Sequence, residues 1–149
     1  MSVKKAAAPT RKSYVPGAFD LKVRRSSAGL GLFTQSPIPK GACVIEYVGN
    51  EVTEKQLETI SSRYLFEISE KRTIDGSPRW NTARYINHSC RPNCEPEIHR
   101  GRVFIRARRA IKPGEELSYN YGPNYFRDFI EPYGCRCAKC VELRGRAKD

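Results

Sequence analysis

The chain has 149 residues, a length that suits one domain with a single core. Eight Tyr, six Phe and one Trp exclude the aromatic-poor composition of a disordered chain, and the longest apolar run, Ala42 to Ile45, excludes a membrane-spanning helix, which needs about 20 such residues. A formal charge of +11 favours polyanionic or nucleoprotein partners.

Residues 1–17 are rich in Ala, Pro and Lys without periodicity and read as a basic flexible tail. They lack the apolar run of a secretory signal, so the expectation is a soluble, intracellular protein. Residues 1–25 carry seven basic side chains against Asp20 alone. Phe19, Leu21 and Val23 alternate with polar neighbours as in a strand. Ala28-Gly29-Leu30-Gly31 then reads as a tight turn entering Leu32 and Phe33. It is not a dinucleotide fingerprint, which needs a third Gly and a following helix. Cys43 to Val48 reads as a buried strand, and Thr53 to Ile60 opens like a helix, with Thr53 as N-cap and Gln56 three residues on.

Residues 46–70 hold Glu46, Glu51, Glu54, Glu58, Glu67 and Glu70 against Lys55 and Arg63. Such an island is either a solvated helix face or a landing place for a cationic ligand. Tyr64 to Ile68 reads as a strand and Trp80 to Asn87 as a short helix or turn. Glu97-Ile98 and Val103 to Ile105 flank Arg100-Gly101 like a hairpin. Six bases and no acid occupy residues 98–112. In Glu116 to Tyr121, an extended backbone points Tyr119 and Tyr121 to one side, an arrangement equally suited to plain core packing. Residues 123–133 are aromatic-rich but unpatterned, and read as a connector. Many short strands, one modest helix and frequent Gly/Pro turns predict a mostly-β domain with little helix.

Six cysteines without a secretory signal point to metal or catalysis rather than disulfides. Cys135, Cys137 and Cys140 form C-x-C-x-x-C, one ligand short of tetrahedral zinc, so a fourth ligand must come from elsewhere in the chain. A Cys90 nucleophile with His88 as base lacks a third, orienting group.

The order G-x-G-L-F, Val44-Ile45-Glu46-Tyr47-Val48-Gly49, Tyr64-Leu65-Phe66, Ile74-Asp75-Gly76, R-Y-I-N-H-S-C-x-P-N-C, E-L-S-Y-N-Y-G and then the Cys cluster resembles the SET-domain lysine methyltransferases over roughly residues 18 to 140. The resemblance implies a fold of small curved β-sheets with a knot-like threading near the C-terminus. It implies a catalytic domain over residues 18–122 and a post-SET zinc-binding segment over residues 134–149. It assigns Ala28, Gly29, Leu30, Tyr64, Asn87, His88 and Tyr121 to S-adenosylmethionine (AdoMet). Cys90 becomes the fourth zinc ligand beside Cys135, Cys137 and Cys140, with Cys43 and Cys94 left over. The family cluster reads C-x-C-x-x-x-x-C, so the shorter spacing here implies a trimmed loop over the cofactor. Tyr121 matches the catalytic tyrosine, while Tyr47 and Tyr119 line the lysine channel. A Tyr at position 119 implies monomethylation.

The expected activity is AdoMet-dependent protein-lysine N-methylation of a histone or histone-like, Lys/Arg-rich protein. Glu51, Glu54, Glu58 and Glu67 would receive the peptide, and the basic tail and Arg100–Lys112 would touch DNA without sequence preference. The alternatives are a ribosomal or other non-histone target, or a non-catalytic zinc module that binds nucleic acid. The expected location is the nucleus or chromatin of a eukaryote, or the cytoplasm or a delivered effector of a bacterium.

Overall fold

Short apolar runs broken by Gly and Pro cannot build one wide sheet, and the computed structural model, which describes residues 12–147, contains four small ones. Strands β1 (Leu21–Ser26) and β2 (Gly29–Thr34) form an antiparallel hairpin closed by Ser26 opposite Gly29. β3 (Cys43–Tyr47) follows the Pro37–Gly41 punctuation. β4 (Asn50–Val52), β5 (Leu65–Ser69) and β6 (Arg72–Asp75) form a second sheet in the order β4-β6-β5.

Helix α1 spans Glu54–Leu57 only, not the stretch to Ile60 that the cap signal suggested. The cap itself is present: Gln56 N–H donates to Thr53 Oγ1 at 3.1 Å, and Thr53 N–H to Gln56 Oε1 at 2.9 Å. With no buried residue to reward further turns, and Thr59, Ser61 and Ser62 as poor helix formers, the helix stops after one turn.

A single helical turn at Thr82–Tyr85 leads into the two-residue β7 (Asn87–His88). β8 (Cys94–His99) and β9 (Arg102–Ala107) form the expected hairpin, with more strand than the apolar pattern showed. Arg100 (φ 50°) and Gly101 (φ 73°) both take the left-handed conformation, as a two-residue hairpin turn requires. β9 is the middle strand of the β3-β9-β8 sheet, and Val103 to Ala107 are all buried. Leu32, Ile38, Val44, Ile86 and Leu117 pack beside them to form the core.

The strand expected over Glu116–Tyr121 is reduced to β10 (Ser118–Tyr119), which pairs in parallel with β7. Side-chain bonds replace a longer ladder. Asn93 Nδ2 donates to Glu116 O at 2.8 Å, and Ser118 N–H donates to Asn93 Oδ1 at 2.9 Å. The β7–β10 pairing sets the N-H-S-C and E-L-S-Y-N-Y segments side by side.

Residues 123–133, expected to be a bare connector, form three consecutive single helical turns: α2 (Pro123–Tyr125), a wide turn at Phe126–Ile130 and a tight one at Glu131–Tyr133. Each is shorter than the period that pattern reading needs. Helix α3 (Ala138–Ala147) closes the described chain.

Of the expected tail, residues 1–11 lie outside the described residues. Residues 12–17 run against the β8–β9 hairpin instead of hanging free. Lys12 Nζ sits 2.9 Å from Glu97, the Tyr14 ring stacks on His99 at 3.8 Å, and the buried Arg106 donates to Ser13 O at 2.9 Å.

Candidate active site

β7, Tyr121 just after β10, the β1–β2 turn and the 123–137 segment line a cavity of about 950 Å³. Ala28, Leu30, Tyr64, Asn87, His88 and Tyr121 all line it. Gly29 does not; it holds the turn between Ala28 and Leu30 at a φ of 105°.

Asn87 is oriented by its neighbours. Its Nδ2 donates to Leu30 O at 2.8 Å, Glu116 Oε2 at 2.9 Å and Ser26 Oγ at 3.2 Å. Three acceptors around one nitrogen decide which way the amide faces. Its Oδ1 takes no donor among the described residues and is left for a ligand. Glu116 leaves no room beside it: a Cβ at Gly31 would stand on the Glu116 carboxylate, 2.9 Å from its Cδ, and 3.1 Å from Ser26 Cβ. The second glycine of G-x-G is therefore a packing requirement of the Glu116–Asn87 pair.

Burial lowers the His88 pKa, which favours the neutral ring. Tyr121 N–H donates to its Nδ1 at 3.0 Å, so the ring proton sits on Nε2, 3.4 Å from Cys90 Sγ.

A second, narrow cavity of about 60 Å³ adjoins the first. Tyr47, Phe66, Tyr119, Tyr121 and Tyr125 form much of its wall. Arg63, Tyr64, Arg84, Tyr121 and Tyr125 border both cavities. Tyr47 OH donates to Tyr64 O at 2.8 Å and Tyr121 OH donates to Ile86 O, while Tyr119 OH has no hydrogen-bond partner among the described residues. The Tyr119 and Tyr121 rings lie 4.8 Å apart, on one side as alternation required. Burial raises the pKa of all three hydroxyls, so they are protonated at neutral pH and act as donors rather than bases.

The sequence reading missed several residues here. Arg84 stacks over Tyr64 at 4.5 Å and Tyr85 at 5.2 Å, and its buried Nε has no partner. A buried cationic donor without an acceptor is costly and suits an anionic ligand group. Arg84 lies three residues before Asn87, inside the motif already singled out. Tyr125, Phe129 and Tyr133 come from the helical turns of residues 123–133, whose aromatic richness was the one available signal. Glu116 opens the E-L-S-Y-N-Y segment already quoted, but nothing in that pattern assigned it a contact with Asn87.

Cys90, Cys135, Cys137 and Cys140 offer sulfurs that all lie within 4.8 Å of one another. Cys90 Sγ is 3.7 Å from Cys140 Sγ and 3.9 Å from Cys135 Sγ. Tetrahedral zinc with Zn–S bonds of about 2.3 Å needs sulfurs about 3.8 Å apart, so this group could hold a zinc ion. Burial pushes Cys135 up to about 11. Burial acts the same way on Cys137, but N–H groups of Cys90 and Cys140 outweigh it and bring that thiol down to about 6. Cys140 is presented from the first turn of α3, which accommodates the short C-x-x-C spacing, and Gly134 to Cys137 still wall the large cavity. Cys43 and Cys94 are buried away from the cluster, and burial pushes Cys94 up to about 12.

These features agree with the comparisons to known proteins. The SET domain family profile matches residues 29–122, and the chain belongs to that family. It is 42% identical over 110 residues to the histone-lysine N-methyltransferase trr of Drosophila melanogaster, covering 66% of this chain and 4% of that protein. It is 38% identical over 121 residues to histone-lysine N-methyltransferase ash1 of the same fly, covering 73% of this chain and 5% of that protein. The chain thus spans only a small fraction of these relatives. Among solved structures it resembles KRYPTONITE in complex with mCHH DNA, an H3(1-15) peptide and SAH, with a TM-score of 0.61 and 34% identity over 70% of this chain and 24% of that one.

Proposed function

We propose that this chain is an AdoMet-dependent protein-lysine N-methyltransferase, acting on a histone or histone-like Lys/Arg-rich protein. The observation that carries the reading is the junction of two cavities, a large one and a narrow one with tyrosines in its wall, which share Arg63, Tyr64, Arg84, Tyr121 and Tyr125. A non-catalytic zinc module would have no use for such a junction. AdoMet supplies an electrophilic methyl group on a sulfonium.

The residues suit that donor. Asn87 Oδ1 is positioned to accept from its ammonium, and the unpaired Arg84 Nε to donate to its carboxylate. The Ala28–Leu30 turn offers backbone rather than charge. On the other side, a lysine that enters the narrow cavity loses solvent and approaches a cation, and both effects lower its pKa. No buried tyrosinate is available as a base, so the amine sheds its proton before it enters. Catalysis then rests on alignment: the amine is held between aromatic walls and faces the methyl group in line. Tyr121, tied to Ile86 O and through its N–H to His88, supplies the rigid wall. The unpartnered Tyr119 hydroxyl would hold water or the amine and so limit the room for added methyl groups, which supports monomethylation.

Leu65 and Phe66 of edge strand β5 border the narrow cavity, so a peptide laid along β5 would meet Glu67. Glu51 is already paired with Arg72, whereas Glu54, Glu58 and Glu67 have no ion-pair partner among the described residues. These acids favour a cationic peptide and, with it, a chromatin location. The zinc ion would act structurally, pinning the Gly134–Cys137 wall to Cys90.

The test incubates the protein with AdoMet and a panel of core histones, a ribosomal protein and a bacterial nucleoid protein, followed by intact-mass spectrometry. Gain of one methyl group on a histone, abolished by Tyr121→Phe with SAH binding retained, is the expected result. Methylation confined to the ribosomal protein would overturn the substrate class. Failure to bind SAH would overturn the enzyme reading.

A further inference from the structure

The sequence places positive charge in two stretches, 1–25 and 98–112, and folding makes them unequal. In the second stretch four of the six bases meet acids. Arg102 forks onto Glu46 at 2.6 and 2.9 Å, and Arg106 is buried 3.0 Å from Glu97. Arg109 sits 2.8 Å from Glu115, and Arg108 lies 4.0 Å from Glu95. The stretch that looked like a polyanion site in the sequence is largely neutralised by Glu46 of β3, Glu95 and Glu97 of β8, and Glu115 of the turn before β10.

β1 is different. Lys22, Arg24 and Arg25 are all exposed, and none has an acidic partner within ion-pair distance among the described residues. Arg24 bonds only the neutral Gln35 amide, at 2.9 Å. β1 pairs with β2 on one side only, so its outer edge presents backbone N–H groups that are unpaired among the described residues. The charge continues beyond the strand. Ser27 Oγ donates to Arg136 O at 3.0 Å, and Cys90 N–H reaches Cys137 Sγ at 3.5 Å, so Arg91 and Arg136, the latter also at the rim of the large cavity, are both exposed at the same end of the hairpin. Neither has an acidic partner among the described residues.

We propose that this face, the β1 edge with Arg91 and Arg136 at its end, docks duplex DNA through phosphate contacts. Phosphates call for cations and N–H donors without an apolar centre, and Val23 is the one exposed large apolar side chain on β1. A protein partner would call for an aromatic or apolar core in the patch. The surface does not depend on the methyl-transfer reading.

The test measures fluorescence anisotropy of a mixed-sequence DNA duplex against salt for the whole chain and two triple variants. Lys22→Gln/Arg24→Gln/Arg25→Gln and Arg102→Gln/Arg108→Gln/Arg109→Gln each remove three positive charges, so net charge is matched. The β1 triple should flatten the log Kd against log salt slope by about 2 to 3, and its single variants by about 1 each, from the usual value of about 0.9 per phosphate contact. The 102/108/109 triple should change the slope by less than about 1. Equal weakening by both triples would overturn the proposal in favour of a net-charge effect. Wild-type DNA binding by the β1 triple would overturn it outright. Tighter binding of poly-glutamate than of the duplex, at matched charge and salt, would assign the face to an acidic protein. Unchanged melting of each variant confirms that the comparison is between folded proteins.

Discussion

Gly31→Ala would add a single methyl group where the Glu116 carboxylate now lies, 2.9 Å from Glu116 Cδ and 3.1 Å from Ser26 Cβ. The carboxylate has to swing away, and the swing takes it off Asn87 Nδ2, which it now accepts from at 2.9 Å. A hydrogen bond to a charged group contributes about 1.5–3 kcal/mol. Were all of that lost from the orientation of Asn87, the Kd for SAH would rise about 10- to 150-fold, at about 1.4 kcal/mol per decade. Isothermal titration calorimetry with two ligands separates this effect from general damage. SAH carries the amino-acid end that Asn87 is placed to read; 5′-methylthioadenosine lacks it. SAH affinity should fall while methylthioadenosine affinity stays within about twofold, since no bond to Asn87 is lost for it. Glu116→Ala should reproduce the loss, and adding Gly31→Ala to it should cost little more, because the two changes act on one network. Equal loss of both ligands, or full additivity of the two substitutions, would refute this reasoning.

Three further outcomes can be measured. Elemental analysis should find one zinc per chain, and Cys90→Ser should lose it together with SAH affinity, because the Gly134–Cys137 wall is tied to the body through that sulfur. Tyr119→Phe should raise the share of di- and trimethyl-lysine seen by mass spectrometry, since it removes a channel hydroxyl that has no hydrogen-bond partner among the described residues. Burial alone would raise the Glu97 pKa, but Lys12 and Arg106 more than offset it, so its folded value lies below the ordinary one. A depressed carboxylate contributes stability above its unfolded pKa of about 4.3 and loses it as pH falls through the folded value. Glu97→Gln, which leaves the buried Arg106 without its acid, should therefore cost about 3 kcal/mol in urea unfolding at pH 7 and progressively less below about pH 4.

Local and motif-bound features were legible in the sequence. The Thr53–Gln56 capping box, the Arg100-Gly101 hairpin turn, the three clustered cysteines and the two tyrosines on one side of an extended segment each depend on residues a few positions apart. So does the N-H-S-C segment that carried the family resemblance. Glu116 holding Asn87 is a different kind of fact, since no local pattern announces a carboxylate that meets an amide only when two distant segments pair in parallel.

The same holds for charge and for the aromatic wall. Residues 98–112 are basic as a string, yet Glu46, Glu95, Glu97 and Glu115 neutralise most of them once β3, β8 and β9 come together. Residues 123–133 showed no period because each helical turn is too short to repeat, and Tyr125 and Phe129 pack against partners chosen by the fold. Sequence alone determined which chemical groups this protein carries and which turns and caps the backbone prefers, because those depend on neighbouring residues. Tertiary structure decided which amide is oriented, which charges are cancelled and where two cavities meet, because those depend on the through-space distance between groups far apart along the chain.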